Sequence, residues 1–401
     1  MAATSRRSTS PEKGPALIIG GGIAGPALGI ALARVGIESV VFEASSAPRD
    51  SAGAFLNLAP NGIAVLNAFG LDQMAEELGF RNDRLVFHNE TGRVLADVAV
   101  GGITLMRGRM SKALREAALK GGVRFEYSKA LQVVEESVDG VTAQFADGSR
   151  VEGRFLVGAD GIHSRTRQSC FPDQPSPMYT GMMNLGGITR VDLPSTGSAM
   201  HMFFGHRGFF GYAARPSGEV YWFSNLAQRV PAQDHLQSIS PDRYRVQLLA
   251  HHRDDPPEVT TILEAVRDDI GAFAIYDIPS LSRWHRGRVC LIGDAAHAIG
   301  PHVGQGTSLA LEDAFVLAQC LRDIASPPDA FATFEGRRRQ RVERVARQSR
   351  RTAARKAPTG RIGRSLRDIV LPIFLKRNAR ATEWLYHTQF NWDETVSSQI
   401  A

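Results

Sequence analysis

The sequence has 401 residues, 43% of them hydrophobic and 22% charged, with 39 glycines and 20 prolines, a length that predicts two or three domains and at least one sizeable core. That mixture excludes a wholly disordered chain and a collagen-like fibre. The net charge of +6 is unevenly placed: residues 331–380 hold sixteen Lys/Arg against three acids and the rest of the chain is mildly acidic, which argues against a nucleic-acid partner.

In chain order, residues 1–14 (MAATSRRSTSPEKG) have no apolar stretch and are expected to form a disordered leader. They do not read as a secretory signal, and a short mitochondrial-type presequence is the lesser alternative. Ala16-Leu17-Ile18-Ile19 is a short apolar run, as expected of a strand buried on both faces of a parallel sheet. A helix follows over Ile23 to Val35 and a strand over Ser39-Val40-Val41-Phe42, forming a βαβ unit with a right-handed crossover. An apolar helix then ends near Leu71. Residues 80–105 alternate like strands, and a helix is predicted from about Arg109 to Lys120, stopped by Gly121-Gly122. Val123 to Val157 reads as several strands with turns at Asp139-Gly140 and Asp147-Gly148.

From Pro172 to about Pro279 aromatic residues concentrate, with Phe203, Phe204, Phe209, Phe210, Tyr212, Tyr221, Trp222 and Phe223 among them. This predicts an antiparallel sheet. Val289 to Ile292 returns to a buried strand, Gly306 to Leu321 reads as an apolar helix, and after Pro327-Pro328 the chain is helical and basic to its end. No run reaches about 18 uninterrupted apolar residues, so no transmembrane segment is expected. The three cysteines, Cys170, Cys290 and Cys320, form no close pair. A disulfide framework or a CxxC zinc site is therefore not expected, and a reducing cytoplasm is the simplest compartment.

Three glycine-centred motifs carry chemistry. Gly20-Gly21-Gly22-Ile23-Ala24-Gly25 fits GxGxxG between an apolar strand and a helix, where glycines permit a tight turn, close approach to a pyrophosphate and tight helix packing. Glu43, at the end of the second strand, supplies the carboxylate that can accept bonds from both ribose hydroxyls of an adenosine. The second motif, Gly158-Ala159-Asp160-Gly161-Ile162-His163-Ser164-Arg165-Thr166-Arg167, follows the strand Phe155-Leu156-Val157. The third runs from Gly293-Asp294-Ala295-Ala296-His297 through Gly300-Pro301-His302-Val303-Gly304-Gln305-Gly306 to Glu312-Asp313. Its glycines let backbone N–H groups face a ligand, and Asp294 offers a carboxylate near a sugar.

In this order and at these separations, the three motifs resemble the FAD-dependent aromatic hydroxylases, the single-component class A flavoprotein monooxygenases of the para-hydroxybenzoate, salicylate and urate hydroxylase type. The resemblance runs from about Ala16 to Leu321. It implies that Gly20, Gly22 and Gly25 hold the FAD pyrophosphate, Glu43 the adenosine ribose and Asp294 the ribityl hydroxyls. It further implies that Gly53-Ala54 pass beside the cofactor and that Arg107 sits by its phosphates, with Met110 in place of the customary Leu. Asp160 would shape the pyrophosphate and NAD(P)H region, and Pro301 and the backbone of Gly304, Gln305, Gly306 and Thr307 would face the isoalloxazine. Thr166 departs from the family's apolar residue.

The implied fold is α/β (α+β): a Rossmann-like FAD-binding βαβ domain interleaved with an antiparallel-sheet substrate domain, plus C-terminal helices. The expected division is a leader at 1–14, FAD-binding parts at 15–78, 106–171 and 279–330, substrate-domain strands at 79–105, the substrate sheet at 172–278, and a basic helical region at 331–401. The implied activity consumes NADPH or NADH and inserts one oxygen atom of O2, through a flavin C4a-hydroperoxide, into an electron-rich aromatic or polyene small molecule.

Alternatives on the same fold are a reductase, an oxidase or a halogenase, although the tryptophans give no WxW motif. A flavin-binding interaction protein without turnover is the alternative from a different class. His297 is expected to be a hydrogen-bonded structural residue, and no metal-ligand spacing or GxSxG elbow is present. The arginines from Arg337 to Arg351 are expected on a solvated helix face. Ile369-Val370-Leu371-Pro372-Ile373-Phe374-Leu375 is expected to pack on the body or on a second subunit of a homodimer.

Overall fold

The computed structural model describes residues 14–50, 55–228, 240–267, 270–356, 360–378, 380–386 and 388–397; the expected leader and Gly53-Ala54 lie outside them, apart from Gly14. The strand Ala16–Ile19 is buried throughout and lies inside a six-stranded sheet. The spatial order is His285–Arg286, Val289–Leu291, Phe155–Gly158, Ala16–Ile19, Ser39–Phe42, Arg124–Glu126. All neighbours pair in parallel except His285–Arg286 with Val289–Leu291. Helix Ala24–Arg34 packs against both Arg107–Lys120 and Gly306–Asp323. Burial on both faces explains the near-continuous aliphatic runs of these strands.

Helix Arg107–Lys120 begins two residues before the expected start, directly after the strand Ile103–Met106. Met106 keeps an extended backbone and no side chain caps the turn, so the sequence offers no stop signal between strand and helix.

A seven-stranded sheet forms the second layer, in the order Gly271–Asp277, Met178–Arg190, Glu219–Ala227, Phe209–Ala214, Ala199–Phe204, Arg84–His88, Val94–Ala99. Its pairings are antiparallel except that Ala199–Phe204 runs parallel to Arg84–His88. Side-chain alternation divides the aromatic run between two faces. Phe203, Phe210, Tyr212 and Trp222 share a buried cluster with Tyr244, Leu248, Val259 and Ile262 from helices Pro241–His252 and Pro257–Ala265. Phe204, Phe209, Tyr221 and Phe223 occupy the opposite face. There Phe55 and Phe80, from a three-stranded sheet of Phe55–Leu58, Ile103–Met106 and Gly79–Arg81, meet Tyr221 edge-on.

The basic C-terminal region forms helices Pro327–Lys356 and Arg361–Asn378. The expectation of a solvated arginine face is overturned for Arg338, which is 3% exposed and paired with Glu312 and Asp313. Arg341 likewise reaches Glu312. Two buried carboxylates on helix Gly306–Asp323 draw these guanidinium groups inward, because a buried charge persists only when paired. The second helix continues through Pro372, which does not end it. Of its apolar run, Leu371 packs with Phe204 and Phe209, whereas Ile369 and Val370 remain largely exposed. Among the described residues no helix is long and apolar enough to cross a membrane.

Candidate functional site

The three motifs meet at the carboxyl ends of three adjacent parallel strands, Ala16–Ile19, Phe155–Gly158 and Val289–Leu291. Such strand ends form the ligand crevice of an open α/β sheet. Gly20 has φ +113°, and a Cβ there would lie 2.4 Å from the Ala159 carbonyl oxygen of the second motif. A Cβ on Gly25 would lie 1.9 Å from the Gly20 oxygen. Only glycine fits either position. A Cβ on Gly22, by contrast, would meet nothing within 4 Å, so its glycine serves whatever approaches the backbone from outside.

Glu43 is already oriented. Its Oε2 accepts the Gly21 N–H at 2.8 Å, and its Oε1 accepts the Ser45 N–H at 2.9 Å and the Ser45 hydroxyl at 2.7 Å. Burial raises its carboxyl, but the Ser45 and Gly21 bonds outweigh that effect and hold it below the usual carboxylate range. Three bonds leave acceptor capacity on an ionised carboxylate. On helix Arg107–Lys120 the Ser111 hydroxyl donates to the Gly22 carbonyl at 3.0 Å. Arg107 lies one turn earlier on the same helix face, exposed and without an ion pair among the described residues. Arg115, further along, grips Asp50 through two bonds of 2.8 and 2.9 Å, fixing the chain just before residue 51.

In the second motif Asp160 is spent on its own loop. It accepts the Ser164 hydroxyl at 2.5 Å and the Thr166 N–H and hydroxyl at 2.9 and 3.0 Å. The Thr166 departure from the family pattern thus has a physical account: its hydroxyl adds a bond to a carboxylate that an apolar residue could not reach. Burial raises the Asp160 carboxyl against these bonds.

In the third motif Gly293 has φ +57° and donates its N–H to Asp313 at 2.9 Å. Asp294 opens the short helix Asp294–His297, and the turn Pro301–Val303 leads to Gly304, at φ +63°. Cβ atoms on Gly304 and Gly306 would meet nothing within 4 Å. Gly306 begins an 18-residue helix with no acid in its first turn, so its N–H groups and partial positive charge face the open side. A cavity of about 230 Å³ adjoins this loop, walled by Gly300 and His302 with Thr180, Met182, Asp277, Ser349 and Arg350.

A buried polar network lies behind the loop. The Gln305 side chain accepts from Asn61 at 2.9 Å, and Asn61 also donates to Glu312 at 2.7 Å. Asp313 joins the Gly293 N–H to His297 Nε2 at 2.6 Å and Arg338 Nε at 2.7 Å. Burial raises the Asp313 carboxyl, but His297 and Arg338 more than offset it and hold it at about 2. Glu312-Asp313 stood out in the sequence; their partners, on another helix and on Pro60–Ala68, carry no local signal. His297 is committed to Asp313 and leans on Trp284.

One other cluster imitates a catalytic constellation. Ser224 Oγ lies 2.7 Å from His252 Nε2, and His252 Nδ1 lies 2.6 Å from Asp255. Ser224 and His252 have no exposed surface, so no acyl donor reaches this serine, and the cluster ties the sheet to the helices behind it.

A family model described as FAD binding domain matches residues 13–349. The chain is 33% identical over 350 residues to the 3-amino-4-hydroxybenzoate 2-monooxygenase PtmB3 of Streptomyces platensis, covering 83% of this chain and 86% of that one. It is 30% identical over 339 residues to the aurachin C monooxygenase/isomerase of Stigmatella aurantiaca, covering 82% and 85%. Among solved structures, Klebsiella pneumoniae HpxO complexed with FAD and uric acid superposes with a TM-score of 0.79 at 25% identity, covering 92% and 95%.

Proposed function

Because the chain belongs to the FAD-dependent aromatic hydroxylase family, we propose that the crevice at its three strand ends holds FAD for a monooxygenase reaction on an electron-rich aromatic or alkene small molecule, with NADH or NADPH as reductant and O2 as co-substrate. The observation that carries this reading is the set of open glycine backbone at Gly22, Gly304 and Gly306 with the pre-oriented carboxylate of Glu43 and the exposed cation of Arg107, which makes no ion pair among the described residues.

In this reading Gly20, Gly22 and Gly25 form the pyrophosphate turn, Glu43 accepts from the adenosine ribose and Arg107 neutralises phosphate charge. Asp160 holds the second loop in shape for cofactor and reductant, and Asp294 accepts from ribityl hydroxyls. Pro301 and the segment Gly304, Gln305, Gly306 and Thr307 abut the isoalloxazine, with Gln305 steadied through Asn61. The FAD-binding part comprises 15–78, 106–171 and 279–330, although the three-stranded sheet joins strands on both sides of residue 78. Bound FAD, once reduced, supplies the oxygen-transferring chemistry. The chain binds and orients the reactants, excludes water with the aromatic face of the seven-stranded sheet, and stabilises negative charge at the Gly306 helix start. The protein acts in the cytoplasm, alone or as a homodimer, without a nucleic-acid partner.

The test combines cofactor and label. Denatured protein is expected to release FAD rather than FMN, and a true substrate is expected to accelerate NAD(P)H oxidation several-fold and to carry one labelled atom from O2. Accelerated oxidation with no label in the product would instead identify an oxidase or dehydrogenase. Arg107→Ala and Asp294→Ala are each expected to weaken FAD binding about ten- to a hundredfold, the effect of one charge-assisted contact; unchanged affinity would remove that residue from the site.

A further inference from the structure

Strand alternation leaves one continuous apolar lane on the sheet face turned toward Phe55. Ring centroids step from Phe55 to Phe223 at 6.1 Å, to Phe209 at 6.1 Å, to Phe204 at 5.1 Å and to Phe87 at 6.0 Å. The strands Ala199–Phe204 and Phe209–Ala214 contain no Asp, Glu, Lys or Arg. At the middle of the lane is Gly211, where a Cβ would lie 2.4 Å from Phe223 Cε1 and 2.9 Å from Met202 Sδ. A ring and a thioether therefore lean over a residue with no side chain. Phe223, Met202 and Phe87 remain half-buried, so they still present apolar surface.

The lane has a direction. Phe55 begins the strand that leads into helix Pro60–Ala68, whose Asn61 bonds Gln305, so the Phe55 end adjoins the cofactor loop. Polar groups gather at that end: Tyr221 lies edge-on to Phe55 at 5.8 Å and to Phe80 at 4.9 Å, and the Arg215 guanidinium covers Phe80 at 4.6 Å. At the far end Leu371 packs on the cluster of Phe204 and Phe209, and Arg367 covers Phe204 at 5.0 Å.

We propose that the substrate carries an extended apolar substituent, with its polar reacting ring at the Tyr221 end and the substituent lying across the partly exposed Phe223, Met202 and Phe87 side chains toward Leu371. This rests on the monooxygenase reading above, and it separates the chain from enzymes built for small, uniformly polar rings. A hydrocarbon chain placed there removes apolar surface from water on both partners, whereas a polar substituent would lose its hydration without gaining a hydrogen bond.

The experiment titrates the FAD-loaded protein anaerobically with 4-alkylphenols from methyl to heptyl, following the flavin absorbance. Affinity is expected to rise roughly three- to fourfold per added methylene until the lane is filled. Phe223→Ser is expected to weaken the heptyl compound at least tenfold and the methyl compound less than twofold; Met202→Ser replaces it if the first variant does not fold. Affinity independent of chain length, no binding at any length, or equal weakening of short and long phenols would overturn the proposal. If the phenols still accelerate NAD(P)H oxidation in the first of these cases, the monooxygenase reading survives alone. Chain-length dependence with no oxygen label in any product would uphold the lane and sink the monooxygenase reading.

Discussion

The two faces of the seven-stranded sheet are made by the same strands and nearly the same residue types, yet they differ in what they leave unfinished. Behind the sheet, Trp222, Phe210 and Leu185 are fully buried under two helices, and the polar groups Ser224, His252 and Asp255 bond one another. In front, Phe223, Met202 and Phe87 keep part of their surface, and Tyr221 stands between two rings and an arginine-capped edge. Aromatic content therefore does not distinguish core from site; completeness of packing does. A face that stabilises the fold has its apolar surface covered by its own chain, whereas a face that binds retains surface for a ligand to cover.

Paired substitutions of neighbouring residues test this contrast most severely. Trp222→Ala behind the sheet is expected to cost about 3–5 kcal/mol, the transfer and cavity cost of a fully buried ring. Phe223→Ala, one residue on and in front, is expected to cost only about 1–2 kcal/mol because its ring is only partly covered. Urea denaturation of both variants, with FAD loading as a check, measures the difference; equal costs would break the distinction between the faces. Next in size, His252→Ala removes the ring between Ser224 and Asp255 and leaves polar groups buried without that partner, an expected cost of about 2–3 kcal/mol. NAD(P)H oxidation per folded molecule is expected to stay unchanged, and a fluorophosphonate probe is expected not to label Ser224. Labelling would mean that this serine is reachable and the face is not closed.

How much of this the sequence made legible follows from the range of each signal. Gly20, Gly22 and Gly25 were readable because a strand, a turn and a helix start within ten residues impose local rules, and the αL or crowded geometry of Gly20, Gly25 and Gly293 gives those rules their cause. The aromatic run predicted a sheet, but period-two alternation does not say which parity faces the ligand. That choice is made by Phe55 and Phe80 on one side and Tyr244 and Leu248 on the other, all distant in sequence. The expected solvated face fails at Arg338 for the same reason: nothing near residue 338 shows that Glu312 and Asp313 lie within 3 Å of it.

The smallest expected effect concerns acid. Burial raises the Asp255 carboxyl, but the bonds from His252 and from the His206 N–H outweigh it and hold it below its ordinary value. A carboxylate depressed on folding supplies stability that is fully present above its unfolded pKa of about 3.9 and is lost as pH falls toward the folded value. Asp255→Asn forfeits that contribution at every pH, so the gap between wild type and this variant is expected to be widest near neutrality and to narrow as pH falls below about 4. Phe223→Ala has no such titration to lose: Phe209, Phe204, Phe87 and Met202 around it carry no charge, so its cost is expected to be the same at pH 7 and pH 3.5. Urea midpoints at the two pH values decide the matter. A pH-dependent cost at Phe223 would mean that a group titrating between those two pH values reaches its ring, and a constant gap at Asp255 would mean that its bonds to His252 and His206 do not favour the ionised form.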